Sequence, residues 1–331
     1  MKNILEKLLN NRNLTRDEAH DTICRHLRGE FSNIQIAAFL TALRAKGPSS
    51  DEMTGFVEAW MEHIPHVELN VPAIDICGTG GDIPQVFNIS TAAALVVAGA
   101  GVPVVKHGTP YRQTRTGSAA VLTELGVNIH LSPDDVARNV EQIGFGFIYE
   151  PTLHDAIDRT VKVTSDLNIR TVFDLISILG HPARIKRQLL GVCKVTHTDR
   201  VIKVLKQLGS EEAYVVFGYD GMDEITTTSS TKLSYLAPDG SISASVISPS
   251  DFKLPTAVPE ELYGGTHQIN AAIILSILDG IRGPHRDVVM LNAAAGIKVG
   301  GAANSMEEGL EMARESIDSK AAKQILKKLT G

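Results

Sequence analysis

The chain's 331 residues are enough for one large domain or two, either able to bury a substantial core, and 43% hydrophobic with 21% charged residues is the composition of an ordinary globular protein. A formal charge of −6 argues against broad electrostatic binding to nucleic acid. Cys24, Cys77 and Cys193 are scattered, odd in number and without metal-ligand spacing, which reads as thiols in a reducing cytoplasm, and the longest apolar stretch, Ala92 to Val105, is too short and too broken by Gly99, Gly101 and Pro103 to cross a bilayer.

Residues 1 to about 66 read as helices only. Met1 to Leu9 suits an amphipathic helix and lacks the cleavage site of a signal peptide. Thr15 with Glu18 and Ser49 with Glu52 fit the capping box, so helices should begin near Arg16 and Ser50. Between them Ile34, Ala37 and Ala38 start a one-faced stripe that fails at Thr41, while Ile36, Phe39, Leu40 and Leu43 spread apolar surface round most of a helix buried on several sides. Trp60 reads as core.

From Ile74 onward strands and helices alternate, the signature of a parallel sheet covered on both faces. The apolar run Val71 to Ile76 leads into Cys77-Gly78-Thr79-Gly80-Gly81-Asp82, whose glycines let the backbone bring N–H groups against an anion. Asn88-Ile89-Ser90-Thr91 then opens the apolar helix Ala92 to Gly99, where the helix N-terminus also favours anions. Later strands are expected at Val102 to Val105, Gly146 to Tyr149, Ala213 to Phe217 and Val288 to Asn292. Lys106-His107-Gly108 should emerge at the end of the first of these, where open α/β sheets place their ligands. Ser132 and Pro133 mark a helix start, and Ile169 to Leu190 returns to a helix-forming pattern. Asp220-Gly221-Met222-Asp223-Glu224 supplies adjacent carboxylates of the kind that hold Mg²⁺ beside phosphates. Thr226 to Pro255 suggests short strands and turns, with an edge strand at Ser241 to Val246.

The motifs Gly78-Thr79-Gly80-Gly81-Asp82, Phe87-Asn88-Ile89-Ser90-Thr91-Ala92, Lys106-His107-Gly108, Gly117-Ser118-Ala119, Asp220 to Glu224 and Leu291-Asn292-Ala293-Ala294-Ala295, in that order, resemble the anthranilate phosphoribosyltransferase family over nearly the whole chain. The resemblance implies an α/β protein of the nucleoside phosphorylase/phosphoribosyltransferase type: a small helical domain (1–66, joined by part of 165–190) and a large domain (71–331) with a mainly parallel central sheet. It also implies a cytoplasmic homodimer, joined through the helical domain, that uses Mg²⁺ to move phosphoribosyl from phosphoribosyl pyrophosphate to an aromatic amine, with release of pyrophosphate, in tryptophan biosynthesis.

The residues it assigns to the donor are Gly78, Thr79, Gly80, Gly81, Asp82, Asn88, Ser90 and Thr91, with Lys106 reaching a phosphate and hydroxyls at Thr114, Thr116 and Ser118. Ser90, Asp223 and Glu224 fall at the metal. His107, Gly108, Thr109, His154, Thr164 and Ser177 fall around the acceptor. A ribosyl centre leaving as an oxocarbenium-like species needs pyrophosphate charge stabilised and the acceptor nitrogen held in line.

The acceptor side departs from the family. Where the family continues Lys-His-Gly with Asn, Arg and a serine-rich loop, this chain has Thr109-Pro110-Tyr111-Arg112-Gln113-Thr114-Arg115-Thr116. Aligned through Arg170-Thr171-Val172-Phe173, the family's anthranilate-binding arginine falls on Thr164, its Asn-Leu-Leu-Gly-Pro segment falls on Asp174 to Ile178, and Asp155 replaces the proline after His154. A hydrogen bond from arginine to a carboxylate contributes on the order of 1.5–3 kcal/mol, so its loss implies roughly 10- to 100-fold weaker binding. Other readings keep the donor and change the acceptor, replace transfer by nucleoside phosphorolysis, or make the chain a nucleic-acid-binding relative; Asp223, Glu224 and the negative charge count against the last two.

Overall fold

The computed structural model describes residues 1–80, 86–108, 117–149 and 155–331, the last range without the side chains of 155–159. Four helices come first: α1 (Lys2–Leu9), α2 (Arg16–Leu27), α3 (Asn33–Lys46) and α4 (Ser50–His63). Capping boxes at Thr15/Glu18 and Ser49/Glu52 start α2 and α4 where the sequence places them, and Ser32/Gln35 starts α3 in the same way. In α3, Ile36, Phe39, Leu40 and Leu43 are buried while Ile34 is 82% exposed. The backbones of α2 and α4 nearly touch, because a Cβ on Gly55 would lie 2.2 Å from the Arg16 carbonyl oxygen.

Beyond the bundle come α5 (Ile89–Gly99), α6 (Ser118–Glu124), α7 (Pro133–Ile143), α8 (Asp155–Leu167), α9 (Phe173–Leu179), α10 (Val195–Gln207), α11 (His267–Leu278) and α12 (Pro284–Val299), around a sheet of order β3-β2-β1-β4-β5-β6-β7. Strands β1 (Ile74–Gly78), β2 (Val104–Gly108), β3 (Phe145–Tyr149), β4 (Arg187–Gly191) and β5 (Glu212–Gly218) are parallel; β6 (Thr231–Leu236) and β7 (Ile242–Ile247) close it antiparallel, with β7 as the exposed edge strand. The chain runs outward from β1 through β2 to β3, then returns to place β4 on the other side of β1. The carboxyl ends of β1 and β4 therefore form a switch point, where connections diverge and leave a crevice.

Two sequence expectations fail here. Val288 to Asn292 is not a strand but the middle of α12 (Pro284–Val299), a helix buried on nearly all sides against α5 (Ile89–Gly99) and the sheet. A short apolar run cannot be told from a buried helix by periodicity. In Ile169 to Leu190 only α9 (Phe173–Leu179) is helical, and Arg187 onward forms β4. The leucines and glutamine there favour helix weakly, and pairing with β1 and β5 overrides that preference. Val163, Val172 and the apolar face of α9 share one core with Phe39, Phe56 and Trp60 of the N-terminal helices. No helix among the described residues is long and apolar enough to cross a membrane.

Candidate active site

The glycines at the switch point are there because Asp223 passes over them. A Cβ on Gly78 would lie 2.1 Å from Asp223 Oδ2, and one on Gly191 would lie 1.5 Å from the Asp223 carbonyl oxygen. Gly80, at φ +77°, donates its N–H to Asp223 Oδ2 at 2.8 Å, and Thr79 donates its own to the Gly191 carbonyl at 3.1 Å. The N–H groups expected to face an anion are therefore engaged within the protein at Thr79 and Gly80, and this part of the turn acts by placing Asp223. The Thr79 hydroxyl is buried with no partner among the described residues. Gly81 and Asp82 lie outside the described residues. Arg170 secures the turn from behind, donating from Nη1 to the Thr79 carbonyl at 3.0 Å and from Nη2 to the Gly80 carbonyl, and Arg44 of α3 donates to the carbonyl of Arg170 itself.

Asp223 and Glu224 follow β5 and are held by two polar anchors. Asp220 accepts from the Met222 N–H at 3.1 Å and the Thr226 hydroxyl at 2.5 Å, and Asn292 of α12 both accepts from the Ile225 N–H at 3.0 Å and donates to the Ile225 carbonyl at 2.7 Å. Asp223 is only 7% exposed, and Glu224 Oε2 is buried with no hydrogen-bond partner among the described residues. These carboxylates line the crevice wall and are more enclosed than an exposed turn. Burial, then the charges of Asp223 and Asp220, push the Glu224 carboxyl well above the usual range. A buried carboxylate oxygen with no donor among the described residues, beside a second carboxylate, fits a divalent cation, which would supply the compensating charge.

The N-terminus of α5 approaches the same crevice. Asn88 caps no backbone group with its side chain but accepts from Asn270 at 2.9 Å, and the Thr91 hydroxyl donates to Ser118 Oγ at 3.2 Å. Lys106 does not emerge from the sheet: it is 2% exposed, its Nζ donates to the Ile76 carbonyl and stands 3.4 Å from Ser90 Oγ, and burial lowers its pKa. It is a buried amine beneath Ser90.

On the acceptor side, His107 Nε2 donates to the Ser177 carbonyl at 2.9 Å, and Nδ1 lies 3.5 Å from Asp75 Oδ2. Burial raises the Asp75 carboxyl, but His107, with His181 and Lys106, outweighs it and holds the group below the usual carboxylate range. His181 packs edge-on against His107 at 4.5 Å, donates to the Val105 carbonyl and accepts from the Ala183 N–H; burial, then His107, lowers its pKa to about 3. His107 thus joins β2 to α9. Gly108 is required where a Cβ would meet the Phe147 ring at 2.6 Å. Thr164 lies on α8 (Asp155–Leu167) and turns its hydroxyl to the Thr160 carbonyl at 2.9 Å, so that group is committed to its own helix. Thr109, Thr114, Thr116 and His154 lie outside the described residues. Sequence reasoning passed over Asp75, Arg170 and Asn292 as site-builders. An isolated polar residue in an apolar run was the available signal for Asp75, and for Asn292 and Arg170 it was their place in the family-matched runs Leu291 to Ala295 and Arg170 to Phe173.

Residues 70–323 match the family model for the glycosyl transferase family a/b domain, and residues 2–64 the model for its helical bundle domain. The anthranilate phosphoribosyltransferase of Alkaliphilus metalliredigens is 44% identical over 319 residues, covering 96% of this chain and 94% of that one. Among solved structures, anthranilate phosphoribosyltransferase from Thermus thermophilus superposes with a TM-score of 0.91 at 32% identity, covering 99% of this chain and 98% of that one. The Saccharomyces cerevisiae enzyme in complex with PRPP and Mg superposes at 0.89 with 25% identity, covering 99% and 96%. With two domain models and near-complete coverage of relatives agreeing with the motif order and the switch-point geometry, the chain belongs to the anthranilate phosphoribosyltransferase family.

Proposed function

We propose that the protein is a Mg²⁺-dependent phosphoribosyltransferase that joins the phosphoribosyl group of PRPP to an aromatic amine and releases pyrophosphate, with anthranilate a poor acceptor. The observation that carries the reading is the Asp223–Glu224 pair at the β1/β4 switch point, one oxygen of which is buried with no donor among the described residues. Asp223, Glu224 and Ser90 would hold the cation, which would neutralise charge on the departing pyrophosphate. The first turn of α5, the Thr79 hydroxyl and Ser118 would orient the phosphates. As the bond from the anomeric carbon to the pyrophosphate oxygen breaks, the amine lone pair forms the new bond to that carbon and the nitrogen then loses a proton.

The acceptor part of the proposal rests on Thr164. Its hydroxyl is folded onto its own helix where the family places an arginine, so a substrate carboxylate gains no charged donor from that position. Assembly as a homodimer through the helical bundle belongs to the same reading and is supported by Leu9 of α1 and Ile34 of α3, 69% and 82% exposed; light scattering tests it. The decisive experiment is a thermal shift with PRPP, with and without Mg²⁺, followed by an acceptor screen that reports pyrophosphate release. A shift that requires Mg²⁺ and turnover with an aromatic amine are expected. No shift at millimolar PRPP overturns the reading.

A further inference from the structure

Where the helical bundle faces the sheet, α2 and α4 present a set of side chains that the transferase site does not use. His20 and Cys24 stand one turn apart on α2, and Glu62 faces them from α4. We propose that His20, Cys24 and Glu62 form a binding site for a zinc-class divalent cation, bridging α2 and α4 and leaving one coordination position open to solvent.

The geometry carries this in three steps. Residues four apart on a helix lie on one face, so His20 and Cys24 aim a nitrogen and a sulfur at the same place. His20 Nε2 lies 3.1 Å from Glu62 Oε2 and 4.0 Å from Cys24 Sγ, and the three donor atoms fall within 4.8 Å of one another. A tetrahedral zinc ion, bonded at about 2.0 Å to nitrogen and oxygen and about 2.3 Å to sulfur, sets its donors roughly 3.3–3.6 Å apart. The two His20 Nε2 separations, 3.1 and 4.0 Å, lie on either side of that range, and His20 Nδ1 stands 3.6 Å from Cys24 Sγ, so rotamer adjustments of these side chains would close the site.

The helices need not move. Gly55 lets α4 approach α2 so closely that an added Cβ would lie 2.2 Å from the Arg16 carbonyl oxygen and 3.1 Å from the His20 nitrogen, which fixes the backbones bearing the ligands. Access is provided by a cavity of about 470 Å³ between the bundle and the sheet, walled in part by His20, Glu62, Arg16, Glu58, Arg184 and Gln188. Cys24 is itself buried. The other cluster of this kind among the described residues, Asp75 with His107 and His181, differs: both nitrogens of His181 and Nε2 of His107 already serve backbone groups. The ligand set also separates the two cations of the protein, since a thiolate and an imidazole select zinc-class ions whereas Mg²⁺ prefers the all-oxygen surroundings of Asp223 and Glu224.

Titration of the chelator-treated, reduced full-length protein with Co²⁺ tests the site. The expected result is a thiolate-to-cobalt charge-transfer absorption that saturates at one ion per chain, is displaced by Zn²⁺ and is unaffected by millimolar Mg²⁺. The band should vanish in Cys24→Ala and persist in a Cys77→Ser/Cys193→Ser variant. His20→Gln and Glu62→Gln, both accessible to solvent, should each weaken binding at least about tenfold, since even loss of a ligand's supporting partner commonly costs 10- to 100-fold. These two variants keep the test decisive if Cys24→Ala does not fold. Absence of the band, its survival in Cys24→Ala, or affinity unchanged in His20→Gln and Glu62→Gln overturns the proposal and leaves a His20–Glu62 ion pair beside a buried thiol.

Discussion

Asp223 Oδ2 accepts the backbone N–H of Gly80 at 2.8 Å, so a carboxylate that follows β5 is locked into the turn that follows β1. An amide oxygen can accept the same bond, and Glu224 Oε2 has no hydrogen-bond partner among the described residues. Asp223→Asn with Glu224→Gln should therefore fold and lose the Mg²⁺-dependent stabilisation by PRPP, read by differential scanning fluorimetry. Failure of the double variant to fold would show that the carboxylates serve the fold.

Glu224→Gln alone should raise the thermal midpoint of the ligand-free protein at neutral pH. Burial and two neighbouring carboxylates raise the Glu224 pKa, which means that the charged form destabilises the folded state. The same variant should show a much smaller response to PRPP with Mg²⁺. A lower midpoint would mean that Glu224 has a compensating partner in the ligand-free protein.

Gly191→Ala should destabilise the protein by roughly 1–3 kcal/mol in urea and raise the KM for PRPP, because the new methyl would stand 1.5 Å from the Asp223 carbonyl oxygen. Gly240→Ala is the control. Gly240 has φ +80° and nothing within 4 Å of an added Cβ, so backbone strain costs about 1 kcal/mol there and KM is unchanged.

Much of this arrangement was legible in the chain, and the parts that were not share a cause. The capping boxes of α2 and α4 and the edge strand β7 depend on neighbours in sequence, and all three stand where the sequence puts them. β4 and α12 depend on what packs around them, and a few leucines or valines do not say whether the surroundings are a sheet or a helix layer. The site divides in the same way. Gly78, Gly80, Asp223 and Glu224 could be read as ligand-facing types, but the direction in which Gly80 and Lys106 present their donors is set by contacts with Asp223 and Ile76, from distant parts of the chain.

Acid should weaken the fold partly through His181. Its pKa is lowered to about 3 when folded, against the ordinary 6.5, so between those values the unfolded chain binds the extra proton. The contribution is fully present above pH 6.5 and declines as pH falls toward 3, by no more than about 2 kcal/mol at pH 5. His197, lowered to about 4, acts in the same direction, and Glu224 acts in the opposite one. Urea midpoints at pH 7 and pH 5 should differ less in His181→Gln than in the parent. An equal difference would remove His181 from the acid response.

Anthranilate should be turned over with kcat/KM at least ~10-fold below that of a relative carrying the family arginine, by the free energy of one charged hydrogen bond. Thr164→Arg should recover part of the loss, since Thr164 spends its hydroxyl only on its own helix. Ordinary turnover by the unmodified protein, on the order of 1 s⁻¹ or faster, would mean that another cation receives the carboxylate.

The two arginines behind the glycine turn have a consequence for how the halves of the molecule communicate. Arg44 of α3 grips the backbone of Arg170, whose guanidinium in turn holds the carbonyls of Thr79 and Gly80. The turn that places Asp223 is thus tethered to the helical bundle, and a change in how the bundle sits reaches it through two side chains. Such a tether works in both directions: whatever coupling free energy it carries when a ligand stiffens the turn is returned as firmer seating of α3.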